Sequence, residues 1–254
     1  MKIAGCSLAL LALMAPPDLT ARGSDSTTAT VKALAEAYVK AGGKPVSVEG
    51  GGSANGARAC LDGEAGLAFL SRDLKDEEKT AGLVGVPYGL DSVAVIVHKD
   101  NPVSGLTLAE LKDLYTGKAT TWSDGRPVVL FNRNSDSGTR ECFQHVVLQN
   151  APFSEKAAVK HDGVLLSTVA RIPTSIAFTS ANHPDGTVKV LPIDGVLPTA
   201  ENTRKGTYPI RRTLILATKG AASGEAKAFI DFALSDAGQD VLRKDGAVPI
   251  KAGK

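Results

Sequence analysis

An apolar run, Pro127-Val128-Val129-Leu130-Phe131, gives way to Arg133, then to a small polar turn over Asn134 to Gly138. Apolar positions then recur at helical spacing, at Phe143, Val146 and Val147. The pattern predicts strand, turn and helix, with Ser137, Gly138 and Thr139 at the helix start and their backbone N–H groups unpaired. The same succession occurs earlier in the chain. Val31, Leu34, Ala35, Tyr38 and Val39 fall on one helical stripe, preceded by Gly23-Ser24-Asp25-Ser26-Thr27-Thr28, with Ser26 or Thr27 as the cap. Pro45 to Glu49 alternates as a strand and runs into Gly50-Gly51-Gly52-Ser53-Ala54-Asn55-Gly56, after which a helix is predicted over Ala57 to Leu61.

The remaining pattern continues this alternation. Ala65 to Leu70 is a short buried strand that ends at Ser71-Arg72-Asp73, and Leu74 to Ala81 is polar and helix-prone. Val84 to Tyr88 and Val93 to Val97 read as two strands with Asp91 between them. Thr107 and Glu110 make a capping box for a helix that reaches about Tyr115. Asp162 to Arg171 is predicted helical, Ser175 to Phe178 and Val188 to Pro192 are strands, and Tyr208 opens a strand that runs through Ala217. A last helix is predicted from about Gly224 to Leu242. Strands alternating with helices argue for α/β architecture.

Each turn taken alone is an ordinary helix cap beside solvated side chains. Three helix starts carrying hydroxyls or glycines form a set suited to a tetrahedral oxyanion, because free N–H groups and the helix dipole both favour negative charge. Composition narrows the partners. The chain has 254 residues, 43% hydrophobic and 22% charged, which describes a globular protein with room for a substantial core. A formal net charge of +2 and no long basic run give no reason to expect nucleic acid. Lys2 followed by an apolar stretch and Leu13-Met14-Ala15 reads as a secretory leader over 1–15, with Ala21 as a later cleavage position. Ile3-Ala4-Gly5-Cys6 precedes the apolar stretch, so no lipid anchor is expected. Export leaves Cys60 and Cys142, expected as two free, buried thiols; a bridge would require their loops to face each other across a cleft.

Catalytic signals are missing. His98, His145, His161 and His183 are scattered without metal-ligand spacing, so no metal is expected. No G-x-S-x-G, S-x-x-K or P-loop occurs, so neither an enzyme nor a cofactor is indicated.

With GSDST near the start, GGGSANG, LSRDLKDEE, R-x3-SGT and DGVLPTAENTRKGTYPIRRTL, the chain resembles the periplasmic phosphate-binding components of bacterial phosphate ABC importers. The resemblance spans essentially the whole mature chain. It implies a two-lobed α/β fold of the type II periplasmic binding class with the ligand cleft between lobes, lobe 1 over 22–92 plus 213–254 and lobe 2 over 93–212. It implies inorganic phosphate as ligand, a membrane ABC permease as partner, a monomer, and a periplasmic or secreted location. Carried over by position, Thr27, Thr28 and Ser53 would donate from one lobe, and Arg133, Ser137, Gly138 and Thr139 from the other. Arg72 stands where well-known members have a proton-accepting aspartate; a large subgroup has arginine there. Arg72 would add a donor and cannot accept, which leaves Asp91 or Asp136 as the acceptor. Arg140 is expected behind the ligand; Arg211 and Arg212 follow a strand start, where one could point into the cleft, though solvent is the expectation. Gly66 departs from a common aspartate. Another oxyanion such as sulfate, molybdate or tungstate, a phosphatase-like activity, and a non-transport sensor remain alternatives.

Overall fold

A computed structural model describes residues 19–250. The predicted leader over 1–15 lies outside them, as do the last four residues. The chain opens with strand β1 (Leu19–Gly23), a 3-10 turn at Asp25–Thr27, helix α1 (Thr28–Lys40), β2 (Val46–Glu49), α2 (Ser53–Asp62), β3 (Leu67–Leu70) and α3 (Asp76–Thr80). It continues through β4 (Leu83–His98), α4 (Leu108–Thr116), β5 (Val129–Asn132), α5 (Gly138–Val146), β6 (Ala158–Val159), α6 (Asp162–Val169), β7 (Ser175–Ser180) and β8 (Val188–Leu191). Helix α7 (Ala200–Lys205), β9 (Arg211–Lys219), α8 (Gly224–Leu234), α9 (Asp236–Lys244) and β10 (Val248–Pro249) complete it.

The strands join in the order β2-β1-β3-β9-β4-β7-β5-β6, with β8 and β10 also pairing with β4. Strand β4 decides the architecture. From Leu83 to Ser92 it runs antiparallel to β9, and from Val93 to His98 it pairs with β7 and β8 instead. One strand therefore serves two sheet regions, each with its own core. Leu34, Phe69, Tyr88, Leu216 and Phe229 pack on the first region. Tyr115, Phe143, Phe178 and Leu191 pack on the second, where the Phe143 and Phe178 rings stack 4.0 Å apart. Val93 to Val97 are wholly buried, as their unbroken apolar run requires of a strand covered on both faces.

Three local expectations are corrected. The two predicted strands around Asp91 are a single strand, β4, which accommodates the Gly-rich Val84–Leu90 stretch with a register shift between Pro87 and Gly89. The last helix is two, because Ser235 takes extended backbone and its hydroxyl accepts from the Gly238 N–H, starting α9 afresh. Helix α2 begins at Ser53, four residues before the predicted Ala57 start. The capping box is observed as expected: Thr107 Oγ1 accepts from the Glu110 N–H at 3.1 Å, and Glu110 Oε2 accepts from the Thr107 N–H at 2.7 Å. Cys60 and Cys142 are both free and buried.

Candidate anion-binding site

The three hydroxyl-bearing loops converge where the two sheet regions meet. Ser24, Ser26 and Thr27 come from the turn after β1, Ser53 from the first residue of α2, and Ser71 from the end of β3; all are buried. From the other region come Ser137 and Thr139, which start α5, and these too are buried. Ser24 Oγ lies 2.8 Å from Ser71 Oγ and 3.0 Å from Ser26 Oγ. Ser71 N–H donates to Ser53 Oγ at 3.2 Å, and Thr139 Oγ1 donates to Ser26 Oγ at 3.2 Å across the junction.

Glycines allow this closeness. A Cβ on Gly138 would sit 2.3 Å from Ser53 Oγ and 2.7 Å from Ser71 Oγ, so any larger residue would force these hydroxyls to shift. Gly52 has φ +99, and a Cβ there would lie 2.5 Å from the Asp136 carbonyl. That same carbonyl accepts from the Ala54 N–H at 3.2 Å.

Two guanidinium groups enter the cluster. Arg133 follows β5 and is 1% exposed; it pairs with Asp162 at the start of α6 and stands 3.9 Å from Asp25. Its Nε is buried without a hydrogen-bond partner. Burial pushes the Arg133 pKa below the ordinary arginine value, Asp162 and Asp25 oppose that shift, and nearby Arg212 adds to it. Arg212, on β9, is the one of the Arg211–Arg212 pair that turns inward and not to the expected solvent. Its Nη1 donates to Thr139 Oγ1 at 2.7 Å and its Nη2 to Ser26 Oγ at 3.1 Å, so it touches hydroxyls from both regions. Asp91 holds it, accepting from Nε at 2.9 Å and Nη2 at 2.5 Å. The signal was available: counting back by twos from buried Leu216 and Leu214 puts Arg212 on the inner face, while Arg211 points outward.

The other expected residues separate clearly. Thr28 is half-buried and its hydroxyl donates to the Ser24 carbonyl at 3.0 Å; the same carbonyl accepts from the Thr27 N–H at 3.1 Å and lies 3.5 Å from the Thr27 hydroxyl. Asp91 is committed: besides Arg212 it accepts from Ser180 Oγ and the Ser92 N–H, both at 2.7 Å. Asp136 is half-buried beside Gly52. Arg140 does not back the cluster; its guanidinium lies over the Phe153 ring, 4.8 Å from the centroid.

Arg72 is engaged by carboxylates. Its Nη1 and Nη2 donate to the two Glu78 oxygens at 2.8 and 2.7 Å, and its Nε lies 2.6 Å from Glu141 at an angle unsuited to a hydrogen bond. A guanidinium gripped by two carboxylates has its charge already answered and turns away from the hydroxyl cluster. Burial works against its charge, but Glu78 and Glu141 outweigh burial and hold its pKa above the ordinary value. At Gly66 a Cβ would crowd only Leu19 Cδ1, the movable end of a side chain, so nothing in the structure explains the missing aspartate.

Among the described residues, no group of three or more His, Cys, Asp or Glu side chains could hold a metal ion, and no helix is long and apolar enough to cross a membrane.

Residues 13–237 match the family model described as a PBP superfamily domain. Over 241 residues the chain is 30% identical to the phosphate-binding protein PstS of Bacillus subtilis, covering 91% of this chain and 80% of that protein. It is 28% identical to PstS of Pseudomonas aeruginosa, over 92% of this chain and 84% of that protein. Among solved structures, a phosphate-bound substrate-binding protein of a phosphate ABC transporter from Clostridium perfringens superposes with a TM-score of 0.86. It is 33% identical, and the match covers 92% of this chain and 99% of that one. A phosphate transport receptor from Vibrio cholerae gives a TM-score of 0.79 at 26% identity, covering 91% of this chain and 99% of that one. The two-lobed α/β fold fits these relatives, and the chain belongs to the PBP superfamily, in its PstS-type branch of phosphate-binding proteins.

Proposed function

We propose that this protein captures inorganic phosphate between its lobes outside the cytoplasm and hands it to a membrane ABC permease, with no catalytic step. The names of its relatives in Bacillus subtilis and Pseudomonas aeruginosa support this reading. The observation that carries it is the meeting of buried hydroxyls from both sheet regions with two buried arginines, one of which keeps a buried N–H without an acceptor. Buried donors left unpaired are costly, so a site so rich in donors favours an oxygen-rich anion. In this reading the lobes take 22–92 with 213–254, and 93–212, joined through β4 and β9.

The proposed contacts are Thr27, Thr28, Ser53, Arg133, Ser137, Gly138 and Thr139, to which Ser24, Ser26, Ser71 and Arg212 are added and from which Arg72 is removed. With Asp91 already tied to Arg212, Asp136 is the better acceptor for the proton of hydrogen phosphate. Titration calorimetry of the mature protein with phosphate, sulfate and molybdate at pH 5 and pH 8 tests the whole reading. Phosphate heat without sulfate competition supports it. Equal binding of sulfate would replace it with a general oxyanion carrier, and no heat with any of the three would overturn it.

A further inference from the structure

Beside the hydroxyl cluster a groove of about 600 Å³ runs along the junction, lined in part by Arg72, Lys75, Glu141 and Arg212. Its floor holds an ionic arrangement that anion binding does not explain. Arg72 and Lys75 belong to the segment between β3 and α3, on the first sheet region, while Glu141 lies in the first turn of α5, on the second. Glu141 Oε2 stands 2.6 Å from Arg72 Nε and 3.3 Å from Lys75 Nζ, so two cations of one lobe meet one carboxylate of the other. Arg72 is 6% exposed and Glu141 19%, which spares the contact much of the screening that weakens surface pairs.

We infer that Arg72, Lys75 and Glu141 form an ionic latch that holds the two lobes closed over the anion site. Three features support a latch over an incidental surface pair. Glu78 accepts from both Arg72 terminal nitrogens and from the Lys75 N–H at 2.9 Å, all within one lobe, so the cationic half is pre-set before the lobes meet. The latch residues adjoin cluster residues on both sides: Arg72 follows Ser71, and Glu141 lies two residues past Thr139 on the same helix. Parting the lobes would separate Glu141 from Arg72 and at the same time withdraw the α5 hydroxyls from Ser26. Closure and assembly of the anion site are thereby one movement.

The inference rests on the capture reading only for its ligand, and its sign separates it from ordinary electrostatics. Glu141 carries a negative charge near an anion site, so neutralising it should tighten anion binding if the residue acts through charge alone. The latch requires the opposite. Glu141→Gln should release phosphate about tenfold faster and bind it correspondingly more weakly, and raising salt should erode the wild-type advantage. Lys75→Gln, a milder change at a half-exposed side chain, should show the same direction with an effect of about twofold. Asp76→Asn removes a charge from the same rim, on a side chain whose carboxylate pairs with Lys79, and should leave release unchanged.

Spin labels at Lys40→Cys and Lys156→Cys, both at exposed positions on different lobes, read lobe separation directly. In ligand-free protein at low salt, Glu141→Gln should move the distance distribution toward longer values. Faster release together with longer distances supports the latch. Tighter phosphate binding by Glu141→Gln, or unchanged release together with unchanged distances, overturns it. If the wild type binds no phosphate, the capture reading falls and the distance measurement decides the latch by itself.

Discussion

Arg133 and Arg72 are both nearly fully buried arginines beside a hydroxyl-rich turn, and from sequence both read as anion ligands. Their surroundings assign them different work. Arg72 meets Glu78 through both terminal nitrogens and has Glu141 2.6 Å from Nε, so two carboxylates answer its charge even though that Nε, like the one of Arg133, makes no aligned hydrogen bond. Arg133 has Asp162 on one nitrogen, Asp25 only at 3.9 Å, and an Nε with no acceptor. The one with its charge answered serves architecture; the one left short of acceptors serves a ligand. What distinguishes a binding arginine from a structural one is the balance of partners around it, more than its charge or burial.

The strongest way to break this contrast is to neutralise the two residues in turn. Arg133→Gln should weaken phosphate binding about 100-fold or more, because it removes a charge-assisted donor from a desolvated site, while Arg72→Gln should cost about tenfold at most. Calorimetry on the two variants checks the ratio, and equal losses would collapse the distinction. Arg212 is the intermediate case, held by one carboxylate and presented to two hydroxyls. Asp91→Asn leaves its charge buried with no counter-ion and should lower stability by about 3 kcal/mol, measured by urea unfolding.

Acid sharpens the comparison. Burial would raise the carboxyl pKa values of Glu78 and Asp162, yet Arg72 and the Lys75 N–H outweigh it for the first, and His183 and Arg133 for the second. Both are therefore held below their ordinary values, so the stability they add is present above the unfolded carboxyl range and is lost as pH falls through the lowered values. His183 runs the other way. Burial opposes its charge, but Asp162 at 3.1 Å outweighs burial and raises its pKa above 6.5. Its contribution is complete below about pH 6.5 and disappears as pH climbs through the raised value. Unfolding free energies from pH 6 to 9 should decline less steeply in His183→Gln than in wild type, by no more than about 1 kcal/mol.

The smallest effect concerns the thiols. Burial pushes the Cys142 pKa up to about 11 and raises that of Cys60 as well. A chromogenic disulfide reagent at pH 8 should therefore modify neither until the protein is unfolded, and rapid labelling of Cys142 in ligand-free protein would report lobe opening.

Much of this was legible in the chain. The helix-start loops before α1 and α5, the Gly50–Gly52 turn, the capping box at Thr107 and the buried run Val93 to Val97 are local signals: a few adjacent residues settle the backbone choice through periodicity, N–H satisfaction or glycine's freedom. The motifs also carried the family and so the two-lobed fold. Where the reading failed, the deciding partner lay far away in sequence. Arg212 was drawn in by Asp91, which lies 121 positions earlier. Asp91 looked like a loop residue because β4 carries glycines and a proline that weaken the strand pattern, and only pairing with β9 makes it continuous. The sequence by itself determined which loops offer donors, since a helix start exposes its N–H groups wherever it is placed. Only the tertiary structure decided which charges face those donors, because a guanidinium at the end of a long side chain goes to whichever carboxylate folding brings within reach.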